Sequence, residues 1–478
     1  MLWWTLWQLR STNLETRRHA LKKLGTYHHA KVLKHFVALL SDGHPEFRRL
    51  AAEGVSRIAW SFKKHVQWVQ PGMVLPKWDD QEGLRAATVE PLITALHDED
   101  PGVREQVVDA LGAVGDPRAV DALIPLLHDS STEVRRQTAD ALAVLGDTRA
   151  VGPLVGGLSD KEGLVRLQVA KALEQLDWEP QDDHQRVLRA VALSNWEEAI
   201  AFGSIAVGPL SFVFRNSGWI VRHPVIEGLG AIGDVGAVDV LVDALGDRDP
   251  GTRRRVVKAL AKIGKRAVNA LLITLESHDW ELRRHAAETL GIIGDPRAVQ
   301  PLVTALGDHD IGVRWQAIHA LERIGSDAVE PLVSVLGTTK NGVRWWAAAV
   351  LEKLGSEAVQ PLVSALGDKN WELRQQAIEV LGSLGDRRAV GPLVAMLRDS
   401  HSGVRARSAM ALEKLGWVAS DDQQRVLYAT ALALWNELNS LGRMSDEPSG
   451  SEAGDDHQGS PGPAMERVGR LEDSQLVR

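Results

Sequence analysis

The sequence contains no cysteine, and its aromatic residues other than tryptophan are few, with two tyrosines and six phenylalanines among 478 residues. Without cysteine the chain has no disulfides, no thiolate zinc ligands and no thiol nucleophile. No apolar run approaches the roughly 20 residues that cross a bilayer. The apolar start, MLWWTLWQLR, follows no basic segment, so we expect neither a membrane span nor a secretory signal. These absences favour a cytoplasmic protein.

Charge is unevenly distributed along this chain, whose net charge is −8. Residues 1–70 carry twelve Lys and Arg against four Asp and Glu, an excess of +8. Residues 443–478 carry −4, and the stretch between them carries −12. A largely acidic body argues against binding nucleic acid along its length, whereas the basic end is suited to an anionic partner.

The clearest pattern is a recurring segment of the form A-V-x-P-L-x-x-x-L, intact from Ala150, Ala298, Ala328 and Ala358. When looser copies are included, its valine recurs ten times at gaps of 30 or 31 residues, with one gap of 56. A fixed period in this range is typical of stacked supersecondary units.

Each unit is predicted to be a pair of helices. In residues 312–336, Val313, Ala317 and Leu321 follow the spacing of one helical face. Gly325 is expected to end the first helix, and Pro331 suits the first turn of the second. Neither helix could bury its apolar stripe alone, so neighbouring units must stack. The sequence therefore predicts an all-α fold, a right-handed α-α superhelix of the HEAT/armadillo type.

A longer unit interrupts the regular repeat. The segment from Leu176 to Trp196 returns 239 residues later, from Leu415 to Trp435, and residues 78–81 look like a third copy. We expect a solenoid over residues 1–442, with longer variant units near 60–90, 177–205 and 416–442. Residues 443–478 are rich in Gly, Ser, Pro and acids and are expected to form a disordered acidic tail.

The segment G-D-P-R-A-V-x-P-L, seen from Gly294, and a V-R pair early in each first helix carry a family resemblance. They resemble the HEAT-repeat family, and within it the prokaryotic branch of phycobilisome (PBS) lyase HEAT-like repeats. The resemblance extends over about residues 10–442 and implies the solenoid fold. It leaves function open, because that branch includes chromophore lyases, a hydroxylase and proteins that only bind partners.

The V-R pair places an arginine at one position of ten units, and an acid such as Asp100 or Asp310 precedes many of them by four to six residues. A row of arginines is suited to phosphate. HEAT families, however, use such Asp and Arg positions as hydrogen-bonded struts between adjacent turns, so we favour a structural ladder. Its members are Arg104, Arg135, Arg166, Arg222, Arg253, Arg283, Arg314, Arg344, Arg374 and Arg405.

Sixteen tryptophans are the main anomaly of the composition; five of them fall at two recurring positions, and a sixth, Trp346, is adjacent to one of these. Trp219, Trp280 and Trp371 lie three residues before a ladder arginine, whereas Trp315 and Trp345 follow one directly, with Trp346 beside. We call these six residues the tryptophan strip. Two interpretations stay open: rings that pack over neighbouring turns, or an exposed strip that binds a peptide, a partner protein or a planar pigment.

The resemblance also includes deoxyhypusine hydroxylase, a di-iron enzyme with repeated His-Glu dipeptides. None of the sixteen histidines here is followed by glutamate. His285 with Glu288, and His319 with Glu322, each place two ligand-type side chains on one helical face, but at different positions within their units. We therefore expect no metal site and no resident cofactor.

The function favoured by the sequence is a non-catalytic scaffold or adaptor that binds a partner protein. No catalytic groups converge in the pattern. Positions such as Gln300 and Thr304, expected to face the concave surface, include no Lys or Arg in any unit, which argues against nucleic acid. The alternatives are a bilin lyase or cofactor-handling chaperone acting on a partner protein, and a hydroxylase. The basic start, with Trp3, Trp4 and Trp7, is also suited to a membrane surface or an acidic partner.

Overall fold

The computed structural model describes residues 2–27, 30–67, 81–338 and 341–445. All regular structure in these ranges is helical, which confirms the predicted all-α class. None of the helices in these ranges is both long enough and apolar enough to cross a bilayer. The chain divides into two compact units, Met1–Val335 with Thr339–Leu354, and Leu336–Thr338 with Gly355–Arg478.

The first unit is built from helix pairs in which most first helices pack against the next first helix along the chain. After Gly163–Gln175 the contact passes instead to the inserted helix Asp183–Ala192, and Trp219–Ile232 packs against Trp196–Ala201 and Ser204–Asn216. Four helices precede the regular pairs: Leu2–Gln8, Leu14–Leu24, Ala30–Leu39 and Pro45–Gln67. The first helices of the pairs are Pro101–Val114, Thr132–Leu145, Gly163–Gln175, Trp219–Ile232, Pro250–Ile263, Trp280–Ile293, Ile311–Ile324 and Asn341–Leu354. The second helices, most of them shorter, are Gln81–Ala95, Val120–Leu123, Val151–Gly157, Ser204–Asn216, Val238–Asp243, Val268–Thr274, Val299–Ala305 and Val329–Leu336.

The second unit continues the same alternation of short and long helices. Its first-helix members pack against each other and against the preceding second helices. The helices are Val359–Ala365, Trp371–Leu384, Val390–Met396, Ser402–Lys414 and Asp422–Ser445.

The pair Ile311–Ile324 and Val329–Leu336 follows the sequence pattern closely. The Asp310 carboxylate accepts a hydrogen bond from the Val313 amide at 3.0 Å and caps the first helix. Gly325 ends it with a φ of 76°, a left-handed value that favours glycine. Val313, Leu321 and Leu332 are fully buried, so the predicted stripes form the core.

Glycines inside the first helices allow neighbouring helices to approach closely. A Cβ atom built on Gly291 would lie 2.5 Å from the Cα atom of Ala320 in the next first helix. Gly230 and Ala259 stand in the same relation, at 2.7 Å. These contacts explain why poor helix formers occupy helix interiors.

The two copies of the longer unit differ in structure. In the first copy, helix Asp183–Ala192 stops and helix Trp196–Ala201 begins, whereas the second copy is one helix, Asp422–Ser445. Ser194 has a φ of 58°, and Asn195 caps the following helix. Ala433 and Leu434, which favour helix, replace them in the second copy.

The predicted boundaries are only partly covered by the structure. Helix Asp422–Ser445 runs three residues past the expected end of the repeats at residue 442. Residues 446–478, most of the expected tail, lie outside the described residues, as does part of the variant unit near 60–90. The tail therefore stays a prediction.

Candidate functional site

Three members of the tryptophan strip are the first residues of first helices, namely Trp219–Ile232, Trp280–Ile293 and Trp371–Leu384. Helical side chains lean toward the N-terminus, and no preceding turn covers a side chain at the first position. Trp219 is 60% exposed, Trp280 44% and Trp371 41%. These indoles present much of their area to solvent.

Trp345 and Trp315 both follow a ladder arginine, yet their surroundings differ. Trp345 is 43% exposed and meets Trp346 edge to face at 5.5 Å between ring centroids. Trp315 is half-buried, with its ring 4.8 Å from that of His319 and 5.8 Å from the Lys353 ammonium. Trp315 thus belongs to a packed polar cluster, and Trp345 is the more accessible ring.

Glu322 completes the cluster around Trp315. It lies 3.2 Å from His319 Nδ1 and 2.5 Å from Lys353 Nζ. Burial tends to raise the pKa of the Glu322 carboxyl, but the hydrogen bonds from His319 and Lys353 outweigh burial and hold the pKa below its usual value. The carboxylate is therefore ionised and lies within ion-pair distance of both neighbours.

Trp219 lies beside a second polar cluster. Its ring centroid is 5.6 Å from that of His223, and His223 Nε2 is 3.1 Å from the Asp249 carboxylate. Hydrogen bonds from the Thr252 hydroxyl, and also from His223, lower the pKa of Asp249 to about 2. Asp249 is therefore an anion throughout the physiological range, and it caps helix Pro250–Ile263.

Trp371 lies in the second unit and stacks on His401, with 4.0 Å between ring centroids and an interplanar angle of 15°. His401 precedes helix Ser402–Lys414, so the indole covers the start of the next first helix. One face of the Trp371 ring is occupied by this contact, which leaves the remaining area to solvent.

A basic cluster occupies helix Pro250–Ile263, between the helices that begin with Trp219 and Trp280. Arg254, Lys258 and Lys262 recur every four residues and are exposed, and with Arg255 and Glu227 they line a pocket of about 350 Å³. The Arg255 guanidinium donates to Glu227 at 3.2 Å. Arg254, Lys258 and Lys262 form no ion pair within the part of the chain that the structure describes.

The position of Lys258 explains why its charge is unmatched. In other units an acid stands there and bonds to the next first helix, as Asp109 does with Gln137 at 3.2 Å and Asp140 with Gln168 at 2.8 Å. Helix Pro250–Ile263 has five cations and no acid. The motif R-R-R-V-V-K-A-L-A-K signals this cluster in the sequence. A comparison of charge over long stretches does not reveal it, because the surrounding stretch is acidic.

The ladder arginines join successive turns. Four of them donate Nε and Nη2 to an aspartate 25 residues later, at 2.7–3.1 Å. The pairs are Arg104–Asp129, Arg135–Asp160, Arg283–Asp308 and Arg374–Asp399. In each case Nη1 also donates to the main-chain carbonyl six residues earlier.

The acids before the arginines thus have two distinct roles. Asp98, six residues before Arg104, accepts from the preceding Arg48, whereas Asp100, four residues before it, caps the helix. Arg222 also reaches the aspartate 25 residues later, Asp247, but by a single hydrogen bond of 2.6 Å from Nη1, while its Nε donates to the Phe214 carbonyl.

Elsewhere the ladder is interrupted. Arg166, Arg253, Arg314 and Arg405 donate to main-chain carbonyls of their own turns, without a carboxylate partner among the described residues. The buried Nε atoms of Arg166, Arg253 and Arg314 have no acceptor in that part of the chain. Arg344 occupies the same position on helix Asn341–Leu354.

The histidine–glutamate pairs singled out in the sequence bond internally. His285 Nδ1 lies 3.2 Å from Glu288, as His319 does from Glu322. Across the described residues, no three His, Asp or Glu side chains are grouped so that they would hold a metal ion.

Comparison with known families gives a match to the model described as HEAT repeats. The match is repeated over residues 72–131, 120–201, 210–275, 268–352, 304–365, 329–413 and 359–435. These ranges cover most of the chain and coincide with the helix pairs, so the predicted resemblance is confirmed.

Curated relatives are phycocyanobilin lyase subunits, which is consistent with the PBS lyase HEAT-like branch. The beta subunit of Pseudanabaena tenuis (strain PCC 7409) is 34% identical over 97 residues, covering 20% of this chain and 34% of that protein. The alpha subunit of Picosynechococcus sp. is 43% identical over 68 residues, covering 13% of this chain and 25% of that protein. The beta subunit of Thermosynechococcus vestitus is 31% identical over 107 residues, covering 22% and 50%. The chain therefore spans half or less of these relatives' lengths.

Two solved structures are also similar. The crystal structure of an engineered protein is 23% identical, covers 81% of this chain and 99% of that chain, and has a TM-score of 0.27. The crystal structure of Kap121p is 13% identical, and the match covers 94% of this chain and 55% of that chain with a TM-score of 0.32.

Proposed function

This chain belongs to the HEAT-repeat family, and we propose that it is a non-catalytic scaffold that binds a partner protein through the exposed members of the tryptophan strip in its first unit, Trp219, Trp280 and Trp345. The observation that carries the proposal is the exposure of Trp219, Trp280 and Trp345, each more than two-fifths open to solvent. HEAT-repeat units present long surfaces and bury little of a ligand in any one place. A row of accessible indoles on such a surface is suited to a protein partner.

Indole rings give the strip its binding energy. Burying apolar area contributes about 25 cal/mol per Å², and tryptophan is enriched among interface residues whose truncation costs about 2 kcal/mol or more. Trp219 and Trp280 begin first helices in the same unit, and Trp345 lies further along that unit. Together they provide separated anchors on alternate first helices.

Charge favours a partner with acidic groups near its apolar anchors. The basic cluster of Arg254, Lys258 and Lys262 lies on the helix between those of Trp219 and Trp280. These cations meet no carboxylate among the described residues. Complementary charge would speed encounter and select the partner, more than it would add affinity.

The polar groups beside the strip support binding rather than chemistry. Glu322 is held by both His319 and Lys353, and Asp249 by both His223 and Thr252. A general base needs a lone pair directed toward a substrate. Carboxylates that are already paired and strongly acidic are poorly suited to that role.

The proposal is tested by isolating the partner and then breaking the strip. The tagged full chain is cross-linked in cells of its source organism, and co-purifying proteins are identified by mass spectrometry. Each candidate is then purified and tested for direct binding. We expect one such protein to bind the wild-type chain directly. Excess untagged chain should compete for this protein and reduce its cross-linking to the tagged chain.

A second candidate function is handling of a bilin on a partner protein, supported by the similarity to phycocyanobilin lyase subunits. The full chain is titrated with phycocyanobilin while visible absorption and tryptophan fluorescence are followed. This candidate predicts saturable quenching that the change of Trp219, Trp280 and Trp345 to alanine removes. Absence of any spectral change would eliminate it and leave the scaffold proposal intact.

A further inference from the structure

The helix Leu2–Gln8 is apolar on both of its faces. Leu2 and Leu6, with Leu9 just beyond the helix, pack against the core of the first unit, and Thr5 between them is fully buried. The other face carries Trp3, Trp4 and Trp7, which are 75%, 52% and 57% exposed. The inner face alone therefore accounts for how this helix is held, and the three indoles are not needed for it.

Two of the three indoles are in direct contact. The rings of Trp4 and Trp7 stack, with 5.0 Å between centroids and an interplanar angle of 23°. Trp3 precedes them on the same short helix, and it is the most exposed of the thirteen tryptophans whose side chains the structure describes. Exposing three indoles to water is unfavourable, so binding to a surface that covers them would be stabilised by burial of their exposed apolar area.

Cations with no acidic partner lie close by in the chain. Arg10 follows this helix, and Lys22 and Lys23 lie on helix Leu14–Leu24, which packs against it. All three are exposed, and none forms an ion pair among the described residues. Arg17 and Arg18, by contrast, are engaged by Asp42 and Glu46.

We propose that helix Leu2–Gln8 docks on an anionic lipid surface. Trp3, Trp4 and Trp7 would lie at the level of the headgroups, where indoles partition because one edge is apolar and the N–H can donate. Arg10, Lys22 and Lys23 would neutralise headgroup phosphates. The charge asymmetry agrees with this, since residues 1–70 carry +8 in a chain whose net charge is −8.

A lipid surface fits this helix better than a folded partner does. The apolar face is short and strongly protruding, because three quarters of Trp3 is open to solvent. A fluid headgroup layer adapts to such a ridge, whereas a protein needs a matching groove. The proposal concerns a surface separate in sequence from the tryptophan strip and stands whether or not the strip binds a protein.

The test is co-sedimentation of the full chain with vesicles of phosphatidylcholine alone, or with about one third phosphatidylglycerol. We expect binding to the anionic vesicles roughly tenfold tighter than to the neutral ones, and weakened by salt. Changing Trp3, Trp4 and Trp7 to alanine should lower that affinity roughly tenfold. Changing Arg10, Lys22 and Lys23 to glutamate should lower it as well while keeping the indoles.

A matched variant with Trp219, Trp280 and Trp345 changed to alanine removes the same number of exposed indoles elsewhere and should bind vesicles as the wild type does. Circular dichroism checks folding, which we expect to survive because Leu2, Leu6 and Leu9 are retained. An equal loss of vesicle affinity in the two triple-tryptophan variants would overturn the proposal. Failure of the wild type to sediment with anionic vesicles would also overturn the proposal, and would favour a protein partner for the three indoles.

Discussion

The Arg104 guanidinium donates two hydrogen bonds of 2.8 Å to the carboxylate of Asp129, 25 residues further along the chain. The main-chain carbonyl of Asp129 accepts a hydrogen bond from Arg135 at 2.9 Å. One aspartate therefore joins the arginines of two consecutive helix pairs. Asp160 repeats the arrangement with Arg135 and Arg166. Arg104 and Arg135 are thereby occupied with internal bonds, which is the arrangement expected of a structural ladder.

Changing Arg135 to alanine should destabilise the fold by about 3 kcal/mol, because Asp160 would be left as a poorly solvated, unpaired anion. The side chains of Arg135 and Asp160 are only 6% and 11% exposed. The control is Arg149→Ala, whose pair with Asp121 is 48% and 70% exposed and contributes less than about 1 kcal/mol. Urea unfolding followed by circular dichroism measures both. Equal midpoints for the two variants would contradict a structural ladder.

Changing Arg166 to methionine should cost much less than changing Arg135 to methionine. Arg166 has no carboxylate partner among the described residues, and burial lowers the pKa of its guanidinium. Its buried Nε has no acceptor in the same part of the chain. Removing it strands no anion, and an apolar side chain fits the buried site, so the change should be within about 1 kcal/mol of neutral. A loss in urea midpoint as large as that of Arg135→Met would refute this distinction.

Stability should fall in acid as the ladder aspartates are protonated. Burial tends to raise the pKa of Asp129, but hydrogen bonds from Arg104 and the Ser131 amide outweigh it and hold the pKa below its usual value. Asp98, Asp308 and Asp399 behave likewise. Such groups contribute stability that is complete above the unfolded pKa of about 4 and disappears as pH falls through the lower folded value.

The urea midpoint should therefore stay level from about pH 7 to 5 and decline below about pH 4. Asp129→Asn should be less stable than the wild type at neutral pH. Its free energy of unfolding should also fall less on acidification, because an asparagine at this position cannot take up the proton that destabilises the wild type. Parallel pH profiles for the two proteins would show that Asp129 does not contribute.

Changing Gly291 to alanine should destabilise the first unit by about 1–3 kcal/mol, the usual cost of overpacking. The new Cβ would meet the Ala320 main chain at 2.5 Å, where no side-chain rotation can relieve the contact. Gly152 is the matched control, because it lies within helix Val151–Gly157 with nothing within 4 Å of its Cβ position. Gly152→Ala should be neutral or stabilising by up to about 1 kcal/mol. Thermal midpoints in the opposite order would contradict the packing described.

Much of the fold follows from short-range rules that a sequence displays. Gly325 ends one helix, Pro331 lies in the first turn of the next, and the apolar spacing of Val313 and Leu321 determines what is buried. The difference between the two long units also depends on local chemistry, because Ser194 breaks a helix that Ala433 continues. These features need no knowledge of distant contacts, which is why the period and the helix class were predictable.

The candidate site depends on contacts that the repeat pattern does not encode. Trp315 and Trp345 occupy the same position in their units, yet Trp315 is covered and Trp345 is exposed. Trp315 has His319 four residues later, whereas Trp345 has Ala349 there, too small to cover an indole. Lys353 reaches Trp315 from the next helix. Burial of each indole is thus set by its individual neighbours.

The most direct test of the account is the affinity of the isolated partner for the full chain with Trp219, Trp280 and Trp345 changed to alanine. Biolayer interferometry compares this variant with the wild type and with the variant of Trp3, Trp4 and Trp7, which removes equally many exposed indoles. We expect the first variant, folded by circular dichroism, to bind at least roughly tenfold more weakly than the wild type. The second should bind normally. Unchanged affinity of the first variant would contradict a tryptophan strip that binds a protein partner.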